Sequence, residues 1–137
     1  MKHLGIDFGL KRVGLAVSDP SGRMSFPLCM VERTTRERLF AELLEVIERE
    51  GVERIVIGLP VTPDGVDSLT ARQAKNFAAS LGRRTAVPID FADESYSSAA
   101  AEAQLREAGL RGDKLKRALD AQAAVQILNG YLGRRAE

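Results

Sequence analysis

The chain begins with short runs that are rich in apolar residues. Two such runs lie within residues 2–19 and are joined by a short link that contains Gly9. This pattern predicts a β-hairpin, because glycine supplies the backbone freedom that a tight connection needs. Met24 to Val31 predicts a third strand. It is expected at an edge of the sheet, since Pro27 has no N–H to donate to a neighbouring strand.

Two later runs also have strand patterns. Ile55 to Pro60 is a continuous apolar run, which is typical of a parallel strand buried on both faces. Val87 to Phe91 predicts a short strand that leads into Asp93 and Glu94.

Apolar residues recur at helical spacing in the segments between and after the later strands. Thr34 is expected to cap a helix in a capping box with Glu37, apolar residues recur at helical spacing from Leu39 to Ile47, and Gly51 ends the helix. Further helices are expected from Ser68 to Leu81 after a loop with Pro63, Asp64 and Gly65, from Ser97 or Ser98 to about Ala108, and from an N-cap at Asp113 to about Leu132.

The order of these elements predicts an α/β fold. Three strands come first and are followed by strand–helix crossovers, which implies a mixed five-stranded sheet with helices on both faces. The expected strand order is 3-2-1-4-5, with strand 2 antiparallel to its neighbours. No composition shift or repeat divides the chain, so residues 1–137 are expected to form one domain.

Composition places the chain among ordinary globular proteins. Hydrophobic residues make up 45% and charged residues 28% of the sequence. No apolar run approaches the length of a membrane span, and no signal peptide is evident, so we expect no membrane association. Cys29 is the single cysteine, and this suits a reducing cytoplasm, where we expect the protein to be located.

Net charge does not identify a partner, but the distribution of charge is informative. The formal net charge is +1, which neither supports nor excludes binding to nucleic acid. Basic residues cluster before and at the start of the last predicted helix: Arg106, Arg111, Lys114, Lys116 and Arg117. This cluster is either a solvated helix face or a phosphate-binding patch.

Three carboxylates occupy positions where the local pattern favours an apolar residue, or lie at the end of a strand. Asp7 lies within the first strand, with its side chain on the face opposite to those of its two apolar neighbours. Glu94 follows the fifth strand, and Asp120 shares a helical stripe with Ala124, Ile127 and Tyr131. From the helix alone, an Asp120 side chain tilted to solvent is the simpler interpretation.

Taken together, the three acids indicate a metal site. Ligands of open α/β sheets generally bind beyond the carboxyl ends of the parallel strands, and carboxylates that meet there raise one another's pKa values. A hard divalent cation relieves this repulsion, and oxygen ligands are what Mg²⁺ prefers. Two such ions can activate a water molecule and stabilise the leaving oxygen of a phosphodiester.

The motifs of the chain resemble those of the YqgF/RuvX family, in order and over nearly the whole length. The matching segments are Gly5-Ile6-Asp7-Phe8-Gly9, Arg12-Val13-Gly14, Ser18-Asp19, Gly58-Leu59-Pro60, Asp64-Gly65, Asp93-Glu94 and Asp120-x-x-Ala123-Ala124-x-x-Ile127-Leu128. The family consists of small bacterial proteins with an RNase H-like fold. They are described as candidate Holliday junction resolvases and as nucleases that mature the 5′ end of 16S ribosomal RNA.

The resemblance implies a divalent-metal-dependent nuclease. Asp7, Glu94 and Asp120 would be its catalytic triad and would bind Mg²⁺ or Mn²⁺. The substrate would be a four-way DNA junction or a ribosomal RNA precursor, and a resolvase that cuts two strands symmetrically is expected to act as a C2 homodimer. The residues expected to contact nucleic acid are Lys11, Arg12, Arg72, Lys114, Lys116 and Arg117.

The chain departs from the family pattern after the Asp-Glu pair. Ser95 stands where the family usually has an arginine, so a bidentate phosphate donor is missing there. Asp19 and Asp93 are alternative acids if one member of the triad is assigned wrongly.

Two other classes of protein share parts of this pattern. The actin- and hexokinase-like ATPases also open with an Asp-x-Gly hairpin, but they need a second lobe for which this chain has no room. A non-catalytic module that binds structured RNA or ribosomal partners is the stronger alternative, and metal-dependent cleavage distinguishes it from a nuclease.

Overall fold

The computed structural model describes residues 1–60, 68–94 and 98–135. The strands in this part of the chain are β1 His3–Phe8, β2 Arg12–Ser18, β3 Ser25–Glu32, β4 Arg54–Pro60 and β5 Ile89–Glu94. The helices are α1 Arg36–Glu50, α2 Leu69–Gly82, α3 Ser98–Glu107 and α4 Gly112–Arg135. No helix in the described ranges combines the length and the apolar character that crossing a bilayer requires.

The sheet has the strand order β3-β2-β1-β4-β5. β1 pairs antiparallel with β2 and parallel with β4, and β4 pairs parallel with β5. The predicted mixed sheet and its order are therefore confirmed. β3, which contains Pro27, lies at one edge, as the missing N–H requires.

The two faces of the sheet carry separate apolar clusters. Leu4, Ile6 and Phe8 of β1 pack in a large cluster with side chains of α1 and α2. The opposite face packs against α4, in a cluster that includes Val56, Ala92 and several residues of α4. Alternation along β1 places Asp7 on this second face, opposite to Ile6 and Phe8, as the sequence predicts.

The helix α4 lies very close to the sheet because glycines face it from three adjacent strands. A β-carbon at Gly14 of β2 would collide with the main-chain oxygen of Asp120, and one at Gly58 of β4 would collide with Ile127. At Gly5 of β1, a β-carbon would lie 3.0 Å from the main-chain oxygen of Ala124. We call these three glycines the glycine bed. They set the height of α4 above the sheet.

Several predicted boundaries differ from the structure. The N-cap of α1 is Thr35 and not Thr34, since the Thr35 hydroxyl accepts a hydrogen bond from the Arg38 N–H at 3.2 Å. Asp113 is not an N-cap, because α4 begins at Gly112, whose φ of +60° suits glycine.

One further boundary is confirmed and another is displaced. Gly51 ends α1 with a φ of +63°, as expected. β5 begins and ends later than predicted, so that Glu94 is its last residue. The predicted loop with Pro63, Asp64 and Gly65 lies outside the described residues, as do Ser95 and Ser97.

Candidate active site

Asp7 and Glu94 meet across the carboxyl ends of the parallel strands. Asp7 is near the end of β1 and Glu94 ends β5, with β4 lying between them. Gly58 of β4 leaves the intervening space open, because a β-carbon there would lie 3.4 Å from Glu94 Oε2. The two carboxyl groups are joined by a side-chain hydrogen bond. Two of the three predicted acids are thus brought into contact.

Burial and mutual repulsion change the protonation of this pair. The pKa of Asp7 is raised to about 7, chiefly by desolvation and further by the negative charge of Glu94, the hydrogen bond with Glu94 and the charge of Asp120. Burial also raises the pKa of Glu94, while its hydrogen bond with Asp7 lowers it. Near neutral pH, the metal-free pair therefore tends to keep a proton.

Asp120 lies on the same face but has a cationic partner. Arg12 Nε donates a hydrogen bond to Asp120 Oδ2 at 2.6 Å, and both side chains are partly buried. Asp120 is held over β2 by the close approach of its main-chain oxygen to Gly14, which pairs with Asp7 of β1. Its charge acts on Asp7, so the third acid is near the pair although the ion pair with Arg12 engages it.

The site fits a divalent cation in its donor set but not in its present arrangement. Carboxylate oxygens are the ligands that Mg²⁺ and Mn²⁺ prefer. The pKa of Asp7 is raised by burial and by the charges of Glu94 and Asp120, and a bound cation would favour the ionised carboxylate. Among the residues described, however, no three Asp, Glu, His or Cys side chains are arranged to hold a metal ion. Asp7 and Glu94 lie together, whereas Asp120 is engaged through Oδ2 by Arg12.

The predicted phosphate-binding residues are distributed unevenly around this site. Lys11, Lys114 and Lys116 are exposed, the first in the β1–β2 hairpin and the others in the first turns of α4. Arg117 is exposed but forms ion pairs with Asp113 and Glu32. Arg72 is exposed on α2, which packs on the sheet face opposite to Asp120.

The alternative acids have positions that differ from those of the triad. Asp19 lies in the turn after β2, where its carboxylate accepts hydrogen bonds from the N–H groups of Arg23 and Met24 at 2.8 and 3.1 Å. Asp93 is exposed and precedes Glu94 in β5, so strand alternation directs it to the other face. Neither is part of the hydrogen-bonded pair.

Arg33 is a residue beside the site that the sequence analysis did not identify. Its guanidinium Nη1 donates hydrogen bonds to the carbonyl oxygens of Gly9 and Leu10 at 2.8 and 3.0 Å. It therefore fixes the hairpin that carries Lys11 and Arg12. Only the pairing of β2 with β3 brings Arg33 there, and no local sequence signal indicates it.

Sequence comparisons give consistent matches over nearly the full chain. Residues 1–134 match the RuvX family, described as Holliday junction resolvase. A protein of Maridesulfovibrio salexigens is 58% identical over 134 residues, which are 98% of this chain and 99% of the relative. One of Anaeromyxobacter sp. is 41% identical, over 99% of this chain and 100% of the relative. Both carry the name of a candidate pre-16S rRNA nuclease.

Solved structures show the same fold at low sequence identity. RuvC of Thermus thermophilus in complex with a Holliday junction substrate has a TM-score of 0.58 at 19% identity, covering 99% of this chain and 96% of RuvC. The Fowlpox virus resolvase with Holliday junction DNA has a TM-score of 0.61 at 8% identity, with 100% of both chains covered. The fold of this chain is therefore RNase H-like, as expected.

Proposed function

The chain belongs to the RuvX family of Holliday junction resolvases, and from this premise we propose that it is a metal-dependent endonuclease acting on structured nucleic acid. The observation that carries the proposal is the hydrogen-bonded pair of Asp7 and Glu94 at the carboxyl ends of β1 and β5. Two partly buried carboxyl groups with raised pKa values are unfavourable for stability alone, and such pairs are typical of functional sites.

The proposed substrates are a four-way DNA junction and the 5′ region of a ribosomal RNA precursor. The family description favours the first, and the names of the curated relatives favour the second. Either substrate would be processed in the cytoplasm. Symmetrical cutting of a junction would require a C2 homodimer.

Asp7, Glu94 and Asp120 are proposed to hold Mg²⁺ or Mn²⁺. When bound, these ions would supply activation of a water molecule and neutralisation of the leaving oxygen. Asp7 and Glu94 contribute a pair of adjacent carboxylates once their shared proton is released. Asp120 contributes the third carboxylate after it separates from Arg12.

The cations around the acids are proposed to position the substrate backbone. Arg12 would exchange Asp120 for a phosphate, to which its guanidinium offers a bidentate contact. Lys11, Lys114 and Lys116 are exposed beside it and would contact flanking phosphates as point charges. Arg72 and Arg117 are weaker candidates, the first because of its face and the second because of its ion pairs.

The substitution Asp7→Asn tests the proposal. Cleavage of an end-labelled junction and of a labelled precursor RNA is measured with Mg²⁺ and with Mn²⁺. The expected loss exceeds the roughly 100-fold effect of removing an outer partner of a metal, because a direct ligand is lost. Asp93→Asn, at an exposed neighbouring acid, should retain the wild-type rate.

The alternative is a binding module without catalysis. In that case the wild-type protein would retard both substrates in a gel but leave them intact with either metal. Full activity of Asp7→Asn would instead show that the acids are assigned wrongly.

A further inference from the structure

A cavity of about 410 Å³ lies on the sheet face opposite to Asp120, between α1, α2 and the β1–β2 hairpin. Its volume falls within the range of small-molecule sites. The aromatic rings of Phe8, Phe40 and Phe77 contribute to its wall, and these rings stack on one another with centroid distances of 4.3 Å for Phe8–Phe77 and 5.7 Å for Phe40–Phe77. Three stacked aromatic rings therefore form part of the wall.

Arg33 presents a fixed, planar cation to this cavity. Its guanidinium carbon lies 4.3 Å from the centre of the Phe8 ring, and its Nη1 is committed to the carbonyl oxygens of Gly9 and Leu10. One face of the guanidinium is thus covered by Phe8. Because Arg33 is exposed and lines the cavity, its other face can receive a planar ligand.

The polar groups of the cavity include two amides that suit the edge of a heterocycle. Arg36, the other arginine in the lining, donates to the Ser80 hydroxyl at 2.5 Å, so part of its donor edge is also already used. Gln73 and Asn76 of α2 line the same space, and each amide carries both donors and acceptors. Amide groups of this kind pair with the edges of bases, whereas they give an anion no charge.

The cavity is adjacent to the proposed active site along the chain. Phe8 directly follows Asp7, and the two side chains project from opposite faces of β1. A nucleic-acid strand that crosses the end of the sheet at the hairpin would place a phosphate at Asp7 on one side and a base at Phe8 on the other. Leu10, at the hairpin tip, is 73% exposed and lines the cavity entrance.

We propose that this cavity binds one unstacked nucleobase of the substrate, next to the phosphate that is cleaved. This inference rests on the proposed nuclease function. Extracting a base from a stack costs a few kcal/mol, least where it is already unpaired. The cavity would therefore make the enzyme select nucleic acid with unpaired or strained nucleotides, such as junctions and single-stranded precursor ends, over continuous duplex.

The test uses AMP and ribose 5-phosphate as probes of the full-length, ¹⁵N-labelled, metal-free protein. AMP is expected to shift the side-chain amide signals of Gln73 and Asn76 and the backbone signal of Leu10. Ribose 5-phosphate, which lacks the base, should not shift them. Equal shifts with both probes would show a phosphate site and overturn the proposal, and so would the absence of shifts up to about 10 mM AMP, because such weak binding gives no useful selectivity.

Paired variants locate the binding in the cavity. Asn76→Trp fills it, whereas Ala79→Trp adds the same bulk at an exposed position of α2 that does not line it. Asn76→Trp should weaken binding of AMP and of an oligonucleotide with one unpaired base by about five-fold or more, as expected for the loss of one stacked base. Ala79→Trp should bind both as the wild type does, and wild-type affinity in Asn76→Trp would overturn the proposal.

A third variant decides the matter if Asn76→Trp fails to fold. Arg33→Lys keeps the positive charge but removes the planar guanidinium on which a base would stack, so the signal shifts caused by AMP should be lost. If these shifts persist, the proposal that a base stacks on Arg33 is wrong. These measurements need neither metal nor cleavage. If AMP binds but no substrate is cut, the nuclease proposal fails alone; if junctions are cut but AMP does not bind, only the cavity proposal fails.

Discussion

The carboxyl groups of Asp7 and Glu94 make the metal-free protein sensitive to pH. The pKa of Asp7 rises from 3.8 to about 7 on folding, so the folded state binds more protons than the unfolded state between these values. The free energy of unfolding should therefore decrease as pH rises through this window, by about 2–4 kcal/mol. Urea unfolding with a chelator at a series of pH values measures this.

Asp7→Asn removes the titrating group and should flatten this dependence. At pH 8 the variant should also be more stable than the wild type when no metal is present, because the like-charge repulsion is gone. Asp93→Asn, outside the hydrogen-bonded pair, should keep the wild-type profile. A stability profile unchanged by Asp7→Asn would show that Asp7 does not hold the proton.

Arg12 is expected to restrain Asp120 until substrate arrives. Arg12→Met removes the ion pair, so titration calorimetry with Mn²⁺ and no nucleic acid should show metal binding about five-fold tighter, as the loss of an interaction of about 1 kcal/mol implies. Nucleic-acid affinity should fall in the same variant.

Lys11→Met provides the matched control. It removes the same formal charge from the same hairpin, at an exposed residue without the contact to Asp120. Metal affinity should then change little. If Arg12→Met and Lys11→Met affect metal affinity equally, Arg12 acts only through general charge and does not restrain Asp120.

At the scale of elements, the contact between α4 and β2 positions the third acid. Gly14→Ala would push the Asp120 segment away from the sheet, at a cost of about 2–3 kcal/mol, typical of overpacking. Cleavage should fall more than stability alone explains, since Asp120 moves away from Asp7. Thermal unfolding and cleavage rates at a temperature where the variant is fully folded measure the two effects.

Gly130→Ala is the control within α4. A β-carbon at Gly130 meets no atom within 4 Å, so alanine there should raise helix stability by up to about 1 kcal/mol and leave cleavage unchanged. Equal losses in both variants would show that the close approach at Gly14 has no special role.

The secondary structure was predictable to the extent that it is encoded locally. The apolar runs of β1, β2 and β4 and the helical spacing in α1 are visible in the sequence, and so is Gly51 as the end of α1. Thr34 and Thr35 are chemically identical neighbours, and the capping-box spacing to Glu37 favoured Thr34 although Thr35 caps the helix. β5 was displaced because pairing with β4, and not its own composition, sets where it ends.

At the scale of the whole molecule, the sequence predicted only part of the site, because contacts between residues distant in sequence leave no local signal. Parallel topology implied that Asp7 and Glu94 approach each other, and the structure brings them into contact. The pairing of Arg12 with Asp120 joins residues 108 positions apart and has no local signal. Arg12 was therefore predicted as a phosphate ligand only.

Charge at this scale predicts how binding responds to salt. With a net charge of +1, affinity for nucleic acid must come from local cations. Lys114→Gln and Lys116→Gln should each weaken binding to nucleic acid of any sequence. Each should also reduce, by about 0.7–0.9, the steepness with which the logarithm of the association constant falls with the logarithm of salt concentration. Fluorescence anisotropy from low to moderate salt measures this slope.

Arg38→Gln changes the net charge by the same amount on α1, which packs on the opposite face of the sheet. It should leave the slope at the wild-type value. If all three variants reduce the slope equally, binding follows the overall charge and not the surface at the start of α4.

The glycine bed has a consequence for engineering this fold. Because α4 rests on main chain, the position of Asp120 is inherited from the backbone and owes little to side-chain volume at these contacts. Repacking substitutions in α1 and α2 that stay away from the cavity lining, at Leu43 for example, can then raise thermal tolerance while leaving the acids undisturbed. Directed evolution for robustness should leave the α4 side of the sheet and the cavity lining alone, and can vary the rest of the α1–α2 side.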